Sequence, residues 1–245
     1  MGDLVTIVIP FYNDPYVPHA IQSALSQTYP NVEVVLVNDG STAYTHLLDP
    51  YRSLIRVIDK ANGGTASALN EGIRQAKGRY IAWLSSDDRF HPRKLERQMA
   101  FMKTNRARIS FTNFHRIDST GRVIRTRAGR RFRSVIPFYE FFRKGNPING
   151  CTIVAERDLL FELGLFDEEM LYTHDNDMWF KVLVNRIDFY YLDEALTEYR
   201  MHGSMGSVRF RPVVKQELVK LRAKYVPPLN RVIAALKREE ARRRK

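Results

Sequence analysis

Cysteine occurs once in the 245 residues, at position 151. That excludes an internal disulfide and a cysteine-based metal cluster, and it points to a reducing compartment. Cys151 sits in the apolar stretch Cys-Thr-Ile-Val-Ala and reads as a core filler rather than a nucleophile. No apolar run approaches the roughly 18–20 residues of a membrane span. The first residues, Met-Gly-Asp-Leu-Val-Thr-Ile, lack a basic segment followed by a long apolar one, so no secretory signal is visible. The expectation is a cytoplasmic protein, at most peripheral at the inner face of the membrane. Glycine is missing where nucleotide-binding loops need it. None lies between Leu4 and Pro10 or in the loop to Ile21, which excludes the Gly-rich turn of a dinucleotide-binding fold. A Walker A sequence is absent, as is the Gly-rich, Lys-containing loop of nucleotidyltransferases. Any phosphate must be met by a metal or by basic side chains.

Charge is plentiful but uneven. The formal net charge is +12, with +10 in residues 208–245 and +7 in residues 122–144, so the rest of the chain is −5. A mildly acidic body carries a basic loop and a basic tail. Such a tail suits an anionic membrane surface, a phosphate-rich acceptor, nucleic acid or a plain solvated helical face.

With 44% apolar residues the chain suits one sizeable α/β domain, or one domain plus an appendage. Leu4–Ile9, Val32–Val37, Leu54–Ile58 and Tyr80–Leu84 read as strands. Helical segments separate them, beginning near Val17, near position 43 and at Thr65. Strand–helix alternation repeated four times predicts a parallel, doubly wound sheet. Regularity then weakens. Strands are expected over 108–117 and 150–155, two short ones over 187–193 and 195–201, and helices over 136–142, 156–163 and 174–186. A loop rich in Arg and Gly covers 126–135. Two tail helices are expected, split at Pro227-Pro228, the second carrying the apolar stripe Leu229, Val232, Ile233 and Leu236.

The stretch from Tyr80 to Pro92 draws the chemistry together. A buried strand ends in Ser85-Ser86-Asp87-Asp88, with a helix starting after Pro92. Carboxylates at the carboxyl end of such a strand lie where open α/β sheets bind ligands. Adjacent carboxylates repel unless a cation or several donors compensate them, and a divalent metal holding a phosphorylated substrate would do so. The plainer account is a helix N-cap with one spare Asp.

Seven elements in order resemble family 2 glycosyltransferases of the GT-A fold. They are Ile9-Pro10-Phe11-Tyr12-Asn13; Val37-Asn38-Asp39-Gly40-Ser41; Asn62-Gly63-Gly64 with Asn70-Glu71-Gly72; Leu84-Ser85-Ser86-Asp87-Asp88; Gly164-Leu165-Phe166-Asp167; His174-Asp175-Asn176-Asp177-Met178-Trp179; and Tyr199-Arg200-Met201-His202. The resemblance runs from Val5 to about Ser207. It implies a GT-A domain over 1–207, with a nucleotide-sugar half (1–105), an acceptor and catalytic half (106–207), and a basic helical extension over 208–245.

The resemblance also implies roles. Pro10 and Tyr12 would flank the nucleotide base; alternatively Tyr12 covers the sheet edge. Asn38 and Asp39 would meet the base, with Asn38 standing where the family usually has Asp; alternatively Asp39-Gly40-Ser41 is a simple turn. Asn62 would lie beside the ribose or diphosphate. Asp87 would bond the ribose or sugar, and Asp88 would ligate Mn2+ or Mg2+, with His202 completing the metal or serving structure alone. Asp175 would be the base that takes the acceptor proton, with Asp177 as fallback and His174 in place of the usual Glu. The implied reaction is an inverting, metal-dependent transfer from a nucleoside-diphosphate sugar, with UDP the expected nucleotide. The acceptor would be a carbohydrate, lipid-linked or protein hydroxyl. Residues 208–245 would pack on the body or supply a peripheral membrane contact, and no nucleic acid is expected as partner. Arg127, Arg130, Arg131 and Arg133 would meet an anionic acceptor or stay solvated. Two rivals remain: a non-catalytic sugar-nucleotide-binding relative, and a basic binding module. The glycosyltransferase reading predicts that donor binding survives deletion of 208–245.

Overall fold

The computed structural model describes residues 2–243. In chain order its elements are β1 (Val5–Phe11), α1 (Val17–Leu25), β2 (Val32–Asp39), a 3-10 turn (Thr45–Tyr51), β3 (Arg56–Lys60), α2 (Gly64–Gln75), β4 (Tyr80–Trp83), β5 (Arg89–Phe90), α3 (Lys94–Asn105) and β6 (Ile109–Ile117). There follow β7 (Val123–Arg125), α4 (Val135–Phe142), a 3-10 turn (Gly150–Thr152), β8 (Val154–Glu156), α5 (Arg157–Glu162), α6 (His174–Val184), β9 (Tyr190–Arg200), α7 (Gly206–Arg209) and α8 (Arg211–Arg243).

The strands form one nine-stranded sheet in the order β3-β2-β1-β4-β8-β6-β9-β5, with β7 on β6. The first four strands are parallel. Beyond β4 the sheet is mixed: β8 is antiparallel to β4, β6 antiparallel to β8, and β9 parallel to β6. Two reversals return β6 and β9 to the direction of β4. Their carboxyl ends therefore open on the same edge as those of β1, β2 and β4.

Side chains of β1 alternate with period two. Val5, Ile7, Ile9 and Phe11 join the core against α1 and α3, while Val8 joins the core under α2, α6 and α8. Pro10 is tolerated in this central strand because even-numbered residues hydrogen-bond toward β4, which has ended: the last such bond is Leu84 N–H to Val8 O at 3.0 Å. Lys94 and Gln98 are buried despite their type. The Lys94 ammonium donates to Gln98 Oε1 (2.6 Å) and Thr152 O (3.1 Å), and Gln98 Nε2 also donates to Thr152 O (3.0 Å), so together they hold the 3-10 turn before β8. Burial pushes the Lys94 ammonium down to about 7.

Three expectations are corrected. Residues 150–155 are not one strand: Asn149 Oδ1 accepts from Cys151 N–H (2.9 Å) and bends 150–152 into a turn before β8. Gly150 is required there, since a Cβ would fall 2.2 Å from the Trp83 ring. The two short strands over 187–201 are one, β9. Its register against β6 jumps from Leu192 to Ala195 to Thr197, and the extra residues are absorbed as bulges. The tail is one helix, α8, running through Pro227-Pro228. The two prolines forgo hydrogen bonds to the carbonyls of Ala223 and Lys224, both exposed residues. Burial of Leu221, Tyr225, Leu229 and Ile233 on the far side outweighs that loss. Because these side chains complete the core, deleting 208–245 would open the domain and would not isolate a tail function.

Candidate functional site

An open cleft of about 1320 Å³ runs along the edge where these strands end. Its lining includes Pro10, Tyr12, Asp39, Asn62, Asp87, Asp175 and His202. At the end built on β1–β3, Tyr12 is 54% exposed. Asp39 is nearly buried. Its Oδ1 accepts from Lys60 Nζ (2.7 Å) and Gly63 N–H (3.0 Å), and its Oδ2 from Gly64 N–H (2.8 Å). Asn62 Nδ2 donates to Asp39 O (2.9 Å). Asp39 thus shapes the 62–64 loop, with only part of Oδ2 left for a ligand. Gly64 holds φ +85° with open space where a Cβ would be, so a ligand can approach its backbone.

Asn38 is not part of the cleft lining. Strand alternation turns it away from Asp39, and its amide is spent on Asp59 Oδ1 (2.8 Å) and Ser41 N–H (3.0 Å). Asn38 therefore does not meet the base as expected.

At the centre, the turn after β4 separates the two adjacent carboxylates. Asp87 faces the cleft, with Oδ2 2.8 Å from His202 Nε2, while His202 Nδ1 lies 2.6 Å from Ser204 Oγ. The hydrogen bond to Asp87 raises the His202 imidazole above its ordinary value. Asp88 is fully buried beneath this surface and is absent from the lining, contrary to the metal role expected of it. Its Oδ1 accepts from Arg200 N–H (2.8 Å), and burial followed by the neighbouring Asp87 charge raises it well above the usual carboxylate range.

Arg200 had no assigned role. It is 1% exposed and closes the turn, donating from Nε to Asp87 O (2.8 Å) and from Nη1 to Asp118 O (3.1 Å) and Ser119 O (3.2 Å), with its guanidinium 4.4 Å over the Tyr16 ring. Asp14, also unforeseen, accepts from Ser86 Oγ–H (2.6 Å) and Tyr16 N–H (2.8 Å), and burial raises its carboxyl.

Asp175 occupies the first turn of α6, half-buried in the cleft wall. Oδ2 accepts from Asn146 Nδ2 (2.8 Å) and Oδ1 from Asn176 N–H (2.7 Å). Burial pushes its carboxyl up to about 6, against these hydrogen bonds. His174 neither pairs with nor orients that carboxylate. It is packed between Trp83 (5.5 Å) and Phe166 (5.8 Å), and burial pushes it down to about 4. Asp177 is eliminated as a base. It is fully buried away from the cleft, accepting from Tyr225 Oη–H (2.7 Å) and pairing with Lys181 (2.8 Å) and Lys224 (3.4 Å).

The approach to Asp175 is held by α8. Glu217 accepts from Leu171 N–H (2.8 Å), Tyr172 N–H (3.1 Å) and Thr173 Oγ–H (2.8 Å). One sign of this was legible: Glu217 is the only acidic residue between Glu198 and Glu239. An amide offers one acceptor oxygen for three donors, so Glu217→Gln is expected to cost about 1–3 kcal/mol in chemical denaturation.

Among the described residues no group of three His, Cys, Asp or Glu converges as a complete metal site. Asp87 and His202 fit a hard cation only as a partial set, open to ligand oxygens and water.

A parallel half with an open edge, an acidic turn at its centre and a carboxylate on a facing helix are the architecture of a GT-A glycosyltransferase. Residues 6–159 match the profile of Glycosyl transferase family 2, and the chain belongs to that family. An uncharacterised glycosyltransferase of Rickettsia typhi is 39% identical over 208 residues, covering 82% of this chain; the chain spans 65% of that relative's length. An Escherichia coli UDP-Glc:alpha-D-GlcNAc-diphosphoundecaprenol beta-1,3-glucosyltransferase is 30% identical over 224 residues, covering 89% of this chain and 85% of its own. A mannosyltransferase of Pyrobaculum calidifontis, solved with GDP-Man and Mn2+, superposes with a TM-score of 0.70 at 19% identity, covering 96% of this chain and 69% of its own.

Proposed function

We propose that this chain transfers a sugar from a nucleoside-diphosphate sugar, with UDP as the nucleotide, to an acceptor hydroxyl by single displacement with inversion. The observation that carries the reading is the position of Asp175, half-buried in the wall of the cleft that Asp87 and His202 also line. Tyr12 and the 62–64 loop receive the base and ribose. Asp175 takes the acceptor proton as that oxygen attacks the anomeric carbon. The bond from that carbon to the diphosphate breaks on the opposite face, and the nucleoside diphosphate leaves. Asp87 and His202 would hold Mn2+ or Mg2+, Asp87 taking the metal role expected of the buried Asp88. Such an ion supplies charge stabilisation to the leaving diphosphate. The uncharacterised relatives exceed this chain in length, so the acceptor and any further domain belong to this proposal as well.

Among the described residues no helix is long and apolar enough to cross a membrane. Peripheral contact through the exposed basic side of α8 remains compatible with the reading.

The test is a panel of UDP-sugars and GDP-mannose, assayed for donor turnover with and without Mn2+ across pH 4.5–8. Only ionised Asp175 accepts a proton, so kcat/KM is expected to rise with pH through about 6 and to fall about tenfold per unit below it. Turnover of no donor, or a flat acid limb, would falsify the reading.

A further inference from the structure

One continuous segment joins the two acidic parts of the cleft. Residues 146–151 line its wall. The first of them, Asn146, donates from Nδ2 to Asp175 Oδ2 (2.8 Å). The last, Cys151, accepts at Sγ from Ser85 N–H (3.2 Å), two positions before Asp87. The segment therefore reaches from the carboxylate on α6 to the turn after β4.

Its Cys151 end is anchored in the core. Cys151 and Thr152 are both buried. Cys151 O accepts from Thr197 Oγ–H of β9 (3.1 Å), Cys151 N–H donates to Asn149 Oδ1 (2.9 Å), and Thr152 O receives Lys94 and Gln98. At the other end Pro147 disfavours helical backbone at Asn146. Asn146 Oδ1 accepts from Ile148 N–H (3.0 Å). That bond decides which way the amide points: its oxygen is taken up within the segment, so its NH2 group is the one that meets Asp175.

Asp175 needs a hold of this kind. Its Oδ1 bond comes from Asn176 N–H, the next residue of the same turn, and so local a contact leaves the carboxylate plane free to turn. Asn146, 29 positions away, supplies the second point that fixes the plane. One bond on each oxygen leaves further lone pairs for an acceptor hydroxyl. The other titratable groups that bear on Asp175 are Glu217 of α8, whose charge opposes its ionisation, and the phenol of Tyr199 on β9. His174 beside it is held neutral by burial.

Resting on the reading of Asp175 as base, we propose that Asn146 is a positioning residue of the reaction. Its amide fixes the plane of the Asp175 carboxylate, and the 146–151 segment ties that plane to the turn that carries Asp87. Donation to the carboxylate also favours its charged, proton-accepting form.

The test is donor turnover by the parent, Asn146→Asp and Asn146→Ala across about pH 4.5–9, with UDP titration and a melting temperature for each. Asn146→Asp separates positioning from bracing. Its carboxylate can still accept from Ile148 N–H, so a role confined to the segment would leave the pH profile in place. Against Asp175 it replaces a donor by a like charge, and two carboxylates in contact resist ionising together. The acid limb of kcat/KM is expected to move up from about 6 by at least about one unit in Asn146→Asp. A smaller upward step is expected in Asn146→Ala, which loses the donor without gaining a charge. Both variants are expected to lower kcat at least about tenfold on the plateau, as a misplaced catalytic group does, and to keep UDP affinity within about twofold. An acid limb unmoved in both variants would overturn the proposal and leave Asn146 bracing the segment alone. A parallel loss of UDP affinity would overturn it in favour of a donor contact. If Asn146→Asp does not fold, Asn146→Ala decides by the same limb. A parent with no acid limb strikes the reading of Asp175 instead, and its own profile shows this before any variant is compared.

Discussion

Asp175→Asn is expected to lower kcat by about 10²–10⁴-fold while leaving donor affinity within twofold. The amide keeps the size of the side chain, and its oxygen can still accept from Asn146 Nδ2 or Asn176 N–H, the two bonds that place the carboxylate. What disappears is the capacity to take a proton. The acid limb near pH 6 should vanish with it, because the group whose burial puts it there is gone. Steady-state kinetics with a responsive donor, alongside donor titration of the same variant, separates the two effects. A variant retaining more than about a tenth of the rate would remove Asp175 from the role of base. Loss of donor binding would place it among the binding groups instead.

The second large effect distinguishes the adjacent carboxylates. Asp87→Ala is expected to abolish the Mn2+-dependent part of UDP binding, a weakening of at least about tenfold, since even groups behind a metal ligand cost that much when removed. Asp88→Asn is expected to bind UDP and Mn2+ nearly as the parent does. Its side-chain oxygen can still accept from Arg200 N–H, and the carboxyl it replaces is already pushed toward its neutral form by burial. Thermal shifts with UDP, with and without Mn2+, read both variants. The opposite result, with the metal response lost in Asp88→Asn and kept in Asp87→Ala, would return the ion to Asp88.

Much of this architecture is written locally. The run Val5–Phe11 declares a buried strand by its apolar, β-branched content, and Pro10 marks where its pairing with β4 stops. Asp39, Asn62 and Asp175 are singled out by the family resemblance, and the structure places all three on the cleft lining. Asn38 was misplaced because resemblance treats neighbouring positions alike, whereas a strand points them to opposite sides. Asn146 and Glu217 left almost no local trace. Their partners stand 29 and 44–46 residues away, and no period or motif spans such distances.

The alternation of strands and helices, the edge on which they open and the chemistry gathered along it follow from the sequence by itself, because period, turn residues and caps act within a few positions. The tertiary structure alone decided which of Asp87 and Asp88 faces the cleft, that His174 stays neutral between Trp83 and Phe166, and that the basic tail is a core helix holding the approach to Asp175. It also decided which arginines form ion pairs, such as Arg127 and Arg131 with Asp193 and Arg89 with Glu198. These outcomes depend on desolvation and on partners brought together from distant parts of the chain, such as the Arg200 N–H that meets Asp88 from 112 residues away.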